Sequence, residues 1–118
     1  MKYDAIIIGA GPSGVTCAAR IAQLGGKVAI VEKSYFGGVC SNWGCIPTKA
    51  MVASAKIVHE NSLSEKLGIT TTTKVNFDKV VKHRDEQINL SRKSMKFVLN
   101  SFGVDIIIGE GKIIDKTT

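Results

Sequence analysis

The chain has 118 residues, 44% of them hydrophobic and 22% charged, with 16 Lys+Arg against 10 Asp+Glu for a formal charge of +6. That length suits a single domain, and the composition excludes wholesale disorder. Apolar runs such as residues 5–8 and 106–108 fall far short of the ~18 residues a membrane span needs. Met1-Lys2-Tyr3-Asp4 enters an apolar run at once, with no secretory or transit pattern, so a reducing cytoplasm is the expected compartment. The basic balance invites a nucleic-acid reading. Its densest stretch, Lys79, Lys82, Arg84, Arg92, Lys93 and Lys96, has no interleaved aromatics, and no zinc-finger spacing occurs. A solvated helix face is the expectation for those cations.

In chain order, Tyr3–Ile8 is an apolar, non-alternating run that suits a strand buried on both faces of a parallel sheet. Pro12–Leu24 sets Val15, Ala18, Ala19, Ala22 and Leu24 at helical spacing, and Gly25-Gly26 stops it. Lys27–Glu32 gives a second apolar strand ending in an acid, which completes a βαβ unit. Lys33–Gly44 reads as a glycine-rich loop. A helix is predicted from about Pro47 to about His59, followed by a polar connector over 61–74 with some extended structure. Asn76–Phe102 repeats apolar residues at three- and four-residue steps, a long helix ended by Gly103. Val104–Ile108 and Lys112–Ile114 are predicted short strands about the Gly109-Glu110-Gly111 turn.

Gly9-Ala10-Gly11-Pro12-Ser13-Gly14 is a G-x-G-x-x-G string between the first strand and the first helix. In that context Gly9 permits a tight turn, Gly11 lets a pyrophosphate approach the backbone, and Gly14 allows close helix–strand packing. The helix N-terminus offers unpaired N–H groups and partial positive charge to phosphate. Glu32, 18 residues after Gly14, ends the second strand, where an acid can accept from ribose hydroxyls. The loop specifies an adenine dinucleotide without distinguishing FAD from NAD.

Cys40 and Cys45 lie five positions apart. In a continuous helix their Cα atoms would be roughly 8–9 Å apart, whereas a disulfide needs about 4.4–6.8 Å. Bridging them requires a broken helix, which Gly44 would allow; inert thiols and half of a zinc site are the alternatives. Only His59, His83 and Cys17 remain as further ligands, at spacings that match no zinc pattern, so no metal is expected. Cys45 precedes the predicted helix start, where the dipole favours an anion, and Lys49 follows by four residues. Cys17 is expected to pack against the sheet, and His59 and His83 to be solvated.

The run Gly37-Gly38-Val39-Cys40-Ser41-Asn42-Trp43-Gly44-Cys45-Ile46-Pro47-Thr48-Lys49 resembles the redox signature of the class I pyridine nucleotide-disulfide oxidoreductases. Within that family it is most similar to the dihydrolipoamide dehydrogenases; glutathione, trypanothione and mercuric reductases share the cysteine pair. The resemblance implies an α/β, Rossmann-like FAD-binding domain with a parallel sheet, residues 1–118 forming its N-terminal part. It implies that Gly9, Gly11 and Gly14 line the FAD pyrophosphate and that Glu32 holds the adenosine ribose. Lys33, Gly38 and Lys49 would contact the flavin or its linker, and Gly111 would border the cofactor. Cys40 would be the interchange thiol and Cys45 the charge-transfer thiolate, joined as a disulfide in the oxidised state. Electrons would run from a small-molecule or lipoyl-protein dithiol through Cys40–Cys45 to FAD and then to NAD⁺. Ser41 and Thr48 depart from the family's commoner residues at their positions, outside the thiol pair. The family's NAD-binding domain and its interface domain with a catalytic His-Glu pair have no counterpart in these residues. The 118 residues alone are therefore expected to be inactive, the whole protein being a homodimer that can serve a 2-oxo acid dehydrogenase complex. A non-catalytic dinucleotide-binding redox module is the alternative of a different class.

Overall fold

In the computed structural model, which describes residues 2–115, three parallel strands form one sheet in the order β1-β2-β3. β1 (Ala5–Ile8) pairs with β2 (Val28–Glu32) from Ala5 opposite Val28 to Ile8 opposite Val31. β3 (Asp105–Ile108) pairs with the other edge of β2, from Ala29 opposite Asp105 to Glu32 opposite Ile108. This is the parallel α/β arrangement expected of the βαβ pattern, with β2 in the centre.

Register decides which side chains meet. Ala5 and Val28 share one face with Ile7, Ile30 and Ile106, and that face carries the core. α1 (Pro12–Gln23) covers it with Val15, Ala18, Ala19 and Ala22, while the end of α4 (Phe77–Ser101) adds Met95 and Leu99. Val28, Ile30 and Leu99 are essentially inaccessible, each stabilising the fold by about 1.5–3 kcal/mol through burial. The opposite face differs from expectation. Ile6 and Ile8 of β1 remain 54% and 51% exposed, and Ile107 beside them is also open. No helix among the described residues covers that side, so β1 is buried on one face only.

Chain ends of the helices are set by backbone chemistry. Gly103, at φ +71, follows the Phe102 cap of α4. Its N–H donates to the Asn100 carbonyl and the Val104 N–H to the Leu99 carbonyl, both at 3.0 Å. This left-handed closure turns the chain into β3 and joins Val104 to Leu99 in the core. Asn76 caps the other end, its Oδ1 accepting from the Lys79 N–H at 3.1 Å.

Four local expectations change. The segment predicted as a loop over 33–44 contains a short helix, α2 (Gly38–Trp43). α3 runs Cys45–Leu63, so Cys45 is its first residue and Pro47 its third. Proline loses nothing anywhere in the first turn, where no intrahelical acceptor is available to its nitrogen. The connector after it is a 3₁₀ turn (Ser64–Leu67) and then irregular chain, with no strand. Lys112–Ile114 also forms no strand; residues 113 and 114 are largely exposed, and no strand among the described residues pairs with them. The start of α3 faces the middle of α4, and Met51–Val58 face Val75–Val80, so the two helices run antiparallel. Together they extend the chain to 66 × 26 × 19 Å. No described helix is long and apolar enough to cross a membrane.

Candidate active site

The glycine loop leaves β1 at Ile8 and enters α1 at Pro12. Gly9, at φ +97, occupies a conformation that L side chains rarely adopt, and its N–H donates to the Val31 carbonyl at 2.7 Å. Gly11 caps α1 in an extended conformation with no side-chain cap and no acid in the first turn. The first-turn N–H groups therefore have no side-chain anion of their own. A Cβ on Gly11 would stand in open space, while one on Gly14 would strike the Gly9 carbonyl oxygen. The second glycine thus leaves room for a ligand and the third lets helix and strand touch. The Gly14 contact is the close helix–strand packing assigned to it from the sequence.

Glu32 tightens this loop from the end of β2. Its Oε2 accepts from the Ala10 N–H and its Oε1 from the Ser34 N–H, each at 2.8 Å. A carboxylate has about four lone-pair sites, so two remain for hydroxyl donors. Ile8, Gly9, Glu32, Lys33, Gly109 and Gly111 line one cleft of about 240 Å³ at the carboxyl ends of the strands, where open α/β sheets bind ligands. Lys33 Nζ meets Glu110 Oε1 across it at 3.4 Å, an exposed pair. A Cβ on Gly111 would stand 3.1 Å from two carbons of Ile8, closer than ordinary packing allows. These residues fit a dinucleotide: an open backbone approach, an uncapped helix start and an acid with spare acceptors.

The cysteine pair lies on the segment that follows. α2 ends at Trp43, Gly44 breaks the backbone at φ −122, ψ −103, and α3 begins with Cys45. The break brings the Cα atoms of Cys40 and Cys45 to 4.7 Å, and a disulfide joins them. A continuous helix would have held them roughly 8–9 Å apart. A Cβ on Gly44 would approach the Val39 carbonyl oxygen to 3.1 Å and the Cys40 Cα to 3.4 Å, so the closure favours glycine there. Cys40 is half-buried and Cys45 exposed at the N-terminus of a 19-residue helix. Lys49 is exposed one turn further on and does not line the sheet cleft.

Two contacts stitch the motifs together. The Gly37 N–H donates to the Ala10 carbonyl at 2.7 Å, and a Cβ on Gly38 would come within 3.1 Å of the Gly11 Cα. The helix carrying Cys40 therefore starts against the glycine loop. A third group was not singled out from the sequence. Asn42, buried between the cysteines, donates from Nδ2 to the Phe36 and Gly38 carbonyls at 3.0 and 2.7 Å. Its Oδ1 accepts from Arg92 Nε at 2.6 Å, and the Arg92 guanidinium lies 4.1 Å from the centre of the Tyr35 ring. Arg92 is accordingly not part of a solvated face, and Arg84 is half-buried beside Asp85; the lysines of that stretch are exposed.

Cys17 is exposed rather than packed on the sheet. At 100° per residue it points about 200° from Val15, so it stands on the face of α1 opposite the core. His59 and His83 are exposed. Among the described residues, no three His, Cys, Asp or Glu side chains converge as a metal site would require.

Comparison with known proteins agrees with this geometry. The pattern of the family described as pyridine nucleotide-disulphide oxidoreductase matches residues 3–118. A dihydrolipoyl dehydrogenase of Acholeplasma laidlawii is 41% identical over 114 residues, 95% of this chain and 34% of the relative. Another, from Staphylococcus aureus, is 41% identical over 119 residues, covering 100% of this chain and 25% of its own. Among solved structures, the Cu(II) complex of the HOCl-induced flavoprotein disulfide reductase RclA from Escherichia coli superposes with a TM-score of 0.78 at 31% identity. The match covers 98% of this chain and 23% of that one. The chain thus spans between about a quarter and a third of the length of these relatives. With a matching family pattern over nearly every residue and both motifs joined in one fold, the chain belongs to the pyridine nucleotide-disulphide oxidoreductase family.

Proposed function

We propose that these residues form the cofactor-phosphate loop and the thiol centre of an NAD-linked flavoprotein disulfide oxidoreductase of the dihydrolipoyl dehydrogenase type. The observation that supports it most is the direct contact between the two motifs, Gly38 against Gly11 and Gly37 bonded to Ala10. A dinucleotide lying on the loop is thereby a neighbour of the disulfide.

In this reading Gly9 and Gly11 leave the backbone open to the FAD pyrophosphate, and Gly14 holds α1 against β1. Glu32 accepts from the adenosine ribose with the lone pairs that Ala10 and Ser34 leave free. Lys33 and Gly111 border the cofactor, Gly38 lets the flavin linker pass, and Lys49 supplies a cation beside the ring system. When bound, FAD supplies a two-electron carrier between the thiols and NAD⁺. The chain's own chemistry is thiol–disulfide exchange. A thiolate of the dihydrolipoyl substrate attacks Cys40 Sγ, forming a mixed disulfide and releasing Cys45 as a thiolate at the start of α3, where the helix dipole favours it. The second substrate thiol attacks its own bonded sulfur and releases Cys40. The substrate leaves as a disulfide, and the protein holds two electrons as the Cys40–Cys45 dithiol.

The NAD site, the acid–base histidine and a homodimer contact are parts of this reading that lie beyond the residues assigned here. Residues 1–118 are the N-terminal part of its FAD-binding domain and are inactive alone. A cytoplasmic enzyme that serves a 2-oxo acid dehydrogenase complex completes the proposal. The test uses the longest form of the protein, reconstituted with FAD and assayed for NAD⁺ reduction by dihydrolipoamide. One flavin per chain and dithiol-dependent turnover are expected, both lost in Gly11→Val. Failure of the intact protein to bind flavin contradicts the proposal.

A further inference from the structure

We infer that Arg92 is a positioning residue for the Cys40–Cys45 couple and acts through Asn42; the inference rests on the pair being the thiol centre proposed above. Arg92 is a donor with no acceptor atoms, and its Nε–H points at Asn42 Oδ1 at 2.6 Å. That contact, with the Phe36 and Gly38 carbonyls on the other side of the amide, fixes which way Asn42 faces. Arg92 is itself held by the Tyr35 ring at 4.1 Å. One residue away, Ser91 Oγ donates to Ser41 Oγ at 3.3 Å. α4 therefore grips α2 at two adjacent buried residues, both lying between the cysteines.

The grip has a consequence for redox chemistry. α2 has six residues, no side-chain cap and a backbone break at Gly44, and helices this short do not persist unaided. In the oxidised state the disulfide itself keeps the cysteines together. Once it is reduced, only the packing of α2 keeps Cys40 near Cys45. By anchoring Asn42, Arg92 raises the effective concentration of one thiol at the other and so favours ring closure. Removing the anchor leaves Asn42 Oδ1 without its charged donor in a buried site, loosens α2 in the dithiol and makes the disulfide easier to reduce. The guanidinium could instead act as a charge stabilising the thiolates, and that alternative predicts the opposite sign.

The experiment equilibrates the longest form of the protein with glutathione and glutathione disulfide. Two glutathione molecules reduce one Cys40–Cys45 disulfide: the first forms a mixed disulfide at Cys40 and frees Cys45. The second attacks the glutathione sulfur, frees Cys40 and leaves as glutathione disulfide. Alkylation and peptide mass measurement read the oxidised fraction, and thermal unfolding is recorded alongside. Arg92→Lys and Arg92→Met are both expected to lower the closure constant about tenfold, a potential about 30 mV less negative. Arg84→Lys, on the same helix but paired with Asp85, is expected to leave it unchanged. A wild-type potential in Arg92→Lys, a more negative one in Arg92→Met, or lowered thermal stability with an unmoved potential in both overturns the inference. A wild-type pair that does not exchange with glutathione, or a protein that binds no flavin, fails the thiol-centre proposal itself.

Discussion

Gly14→Ala puts the strongest steric demand on the fold. An alanine in the first turns of an exposed helix would ordinarily gain about 1 kcal/mol over glycine. Here the new methyl group strikes the Gly9 carbonyl oxygen and lies 3.2 Å from the Gly9 carbonyl carbon and 3.4 Å from Ile7 Cγ2. The carbonyl cannot swing away. Gly9 is bonded through its N–H to Val31 at 2.7 Å, and the next residue, Ala10, is fully buried and bonded to Glu32. α1 must therefore lift from β1, which disturbs Val15 and Ala18 in the core. Overpacking of this kind costs typically 1–3 kcal/mol, so a net loss of about 1 kcal/mol is expected once the propensity gain is included. Gly11→Ala is the matched control, because its methyl group meets nothing within 4 Å. Urea unfolding and flavin titration of both variants should separate the two effects. Gly14→Ala should unfold at lower urea, while Gly11→Ala keeps its midpoint and loses flavin affinity. A Gly14→Ala midpoint equal to wild type would refute the steric reasoning.

Other outcomes follow from single contacts. Glu32→Gln keeps the shape but removes a charged acceptor from two backbone N–H groups, and should cost about 1–3 kcal/mol in urea unfolding with weaker flavin binding in the same samples. Lys33→Ala breaks only an exposed ion pair with Glu110; unfolding should shift by less than about 1 kcal/mol, so any larger loss of flavin affinity reports a cofactor contact. The Asp105 carboxylate accepts a hydrogen bond from the Tyr3 hydroxyl and adds negative charge beside it, raising the phenol above its ordinary value near 10. Its contribution to stability is therefore present below pH 10 and lost as the pH rises through the raised value. Phenolate absorbance should show Tyr3 titrating lower in Asp105→Asn than in wild type.

The βαβ frame and the glycine loop were legible because each rests on short-range rules: apolar runs, a helix stop, and glycines spaced for a tight turn between strand and helix. Gly14 performs the packing task that spacing alone assigned to it. The broken helix needed to join Cys40 to Cys45 was also legible, since helix geometry forbids the pairing without it. α2 was hidden because six residues flanked by glycines look like loop, and its stability comes from Asn42 and α4 rather than from its own propensity. The Asn42–Arg92 bond joins residues 50 apart, and nothing local in either stretch marks the other. Cys17 was misplaced because the alanine-rich α1 blurs which face is apolar, although its angle from Val15 was available. The open face at Ile6 and Ile8 was not legible from an apolar run that reads the same whether one or both sides are covered.

The most direct test of the central claim is a dithiol titration of the FAD-loaded, longest form of the protein, followed by visible absorbance. Uptake of two electrons at the thiols should produce a long-wavelength band from the Cys45 thiolate against the flavin. The band should be lost in Cys45→Ser, whereas Cys40→Ser should show it without added dithiol. Bound flavin whose spectrum responds to neither the dithiol nor either substitution would contradict the account.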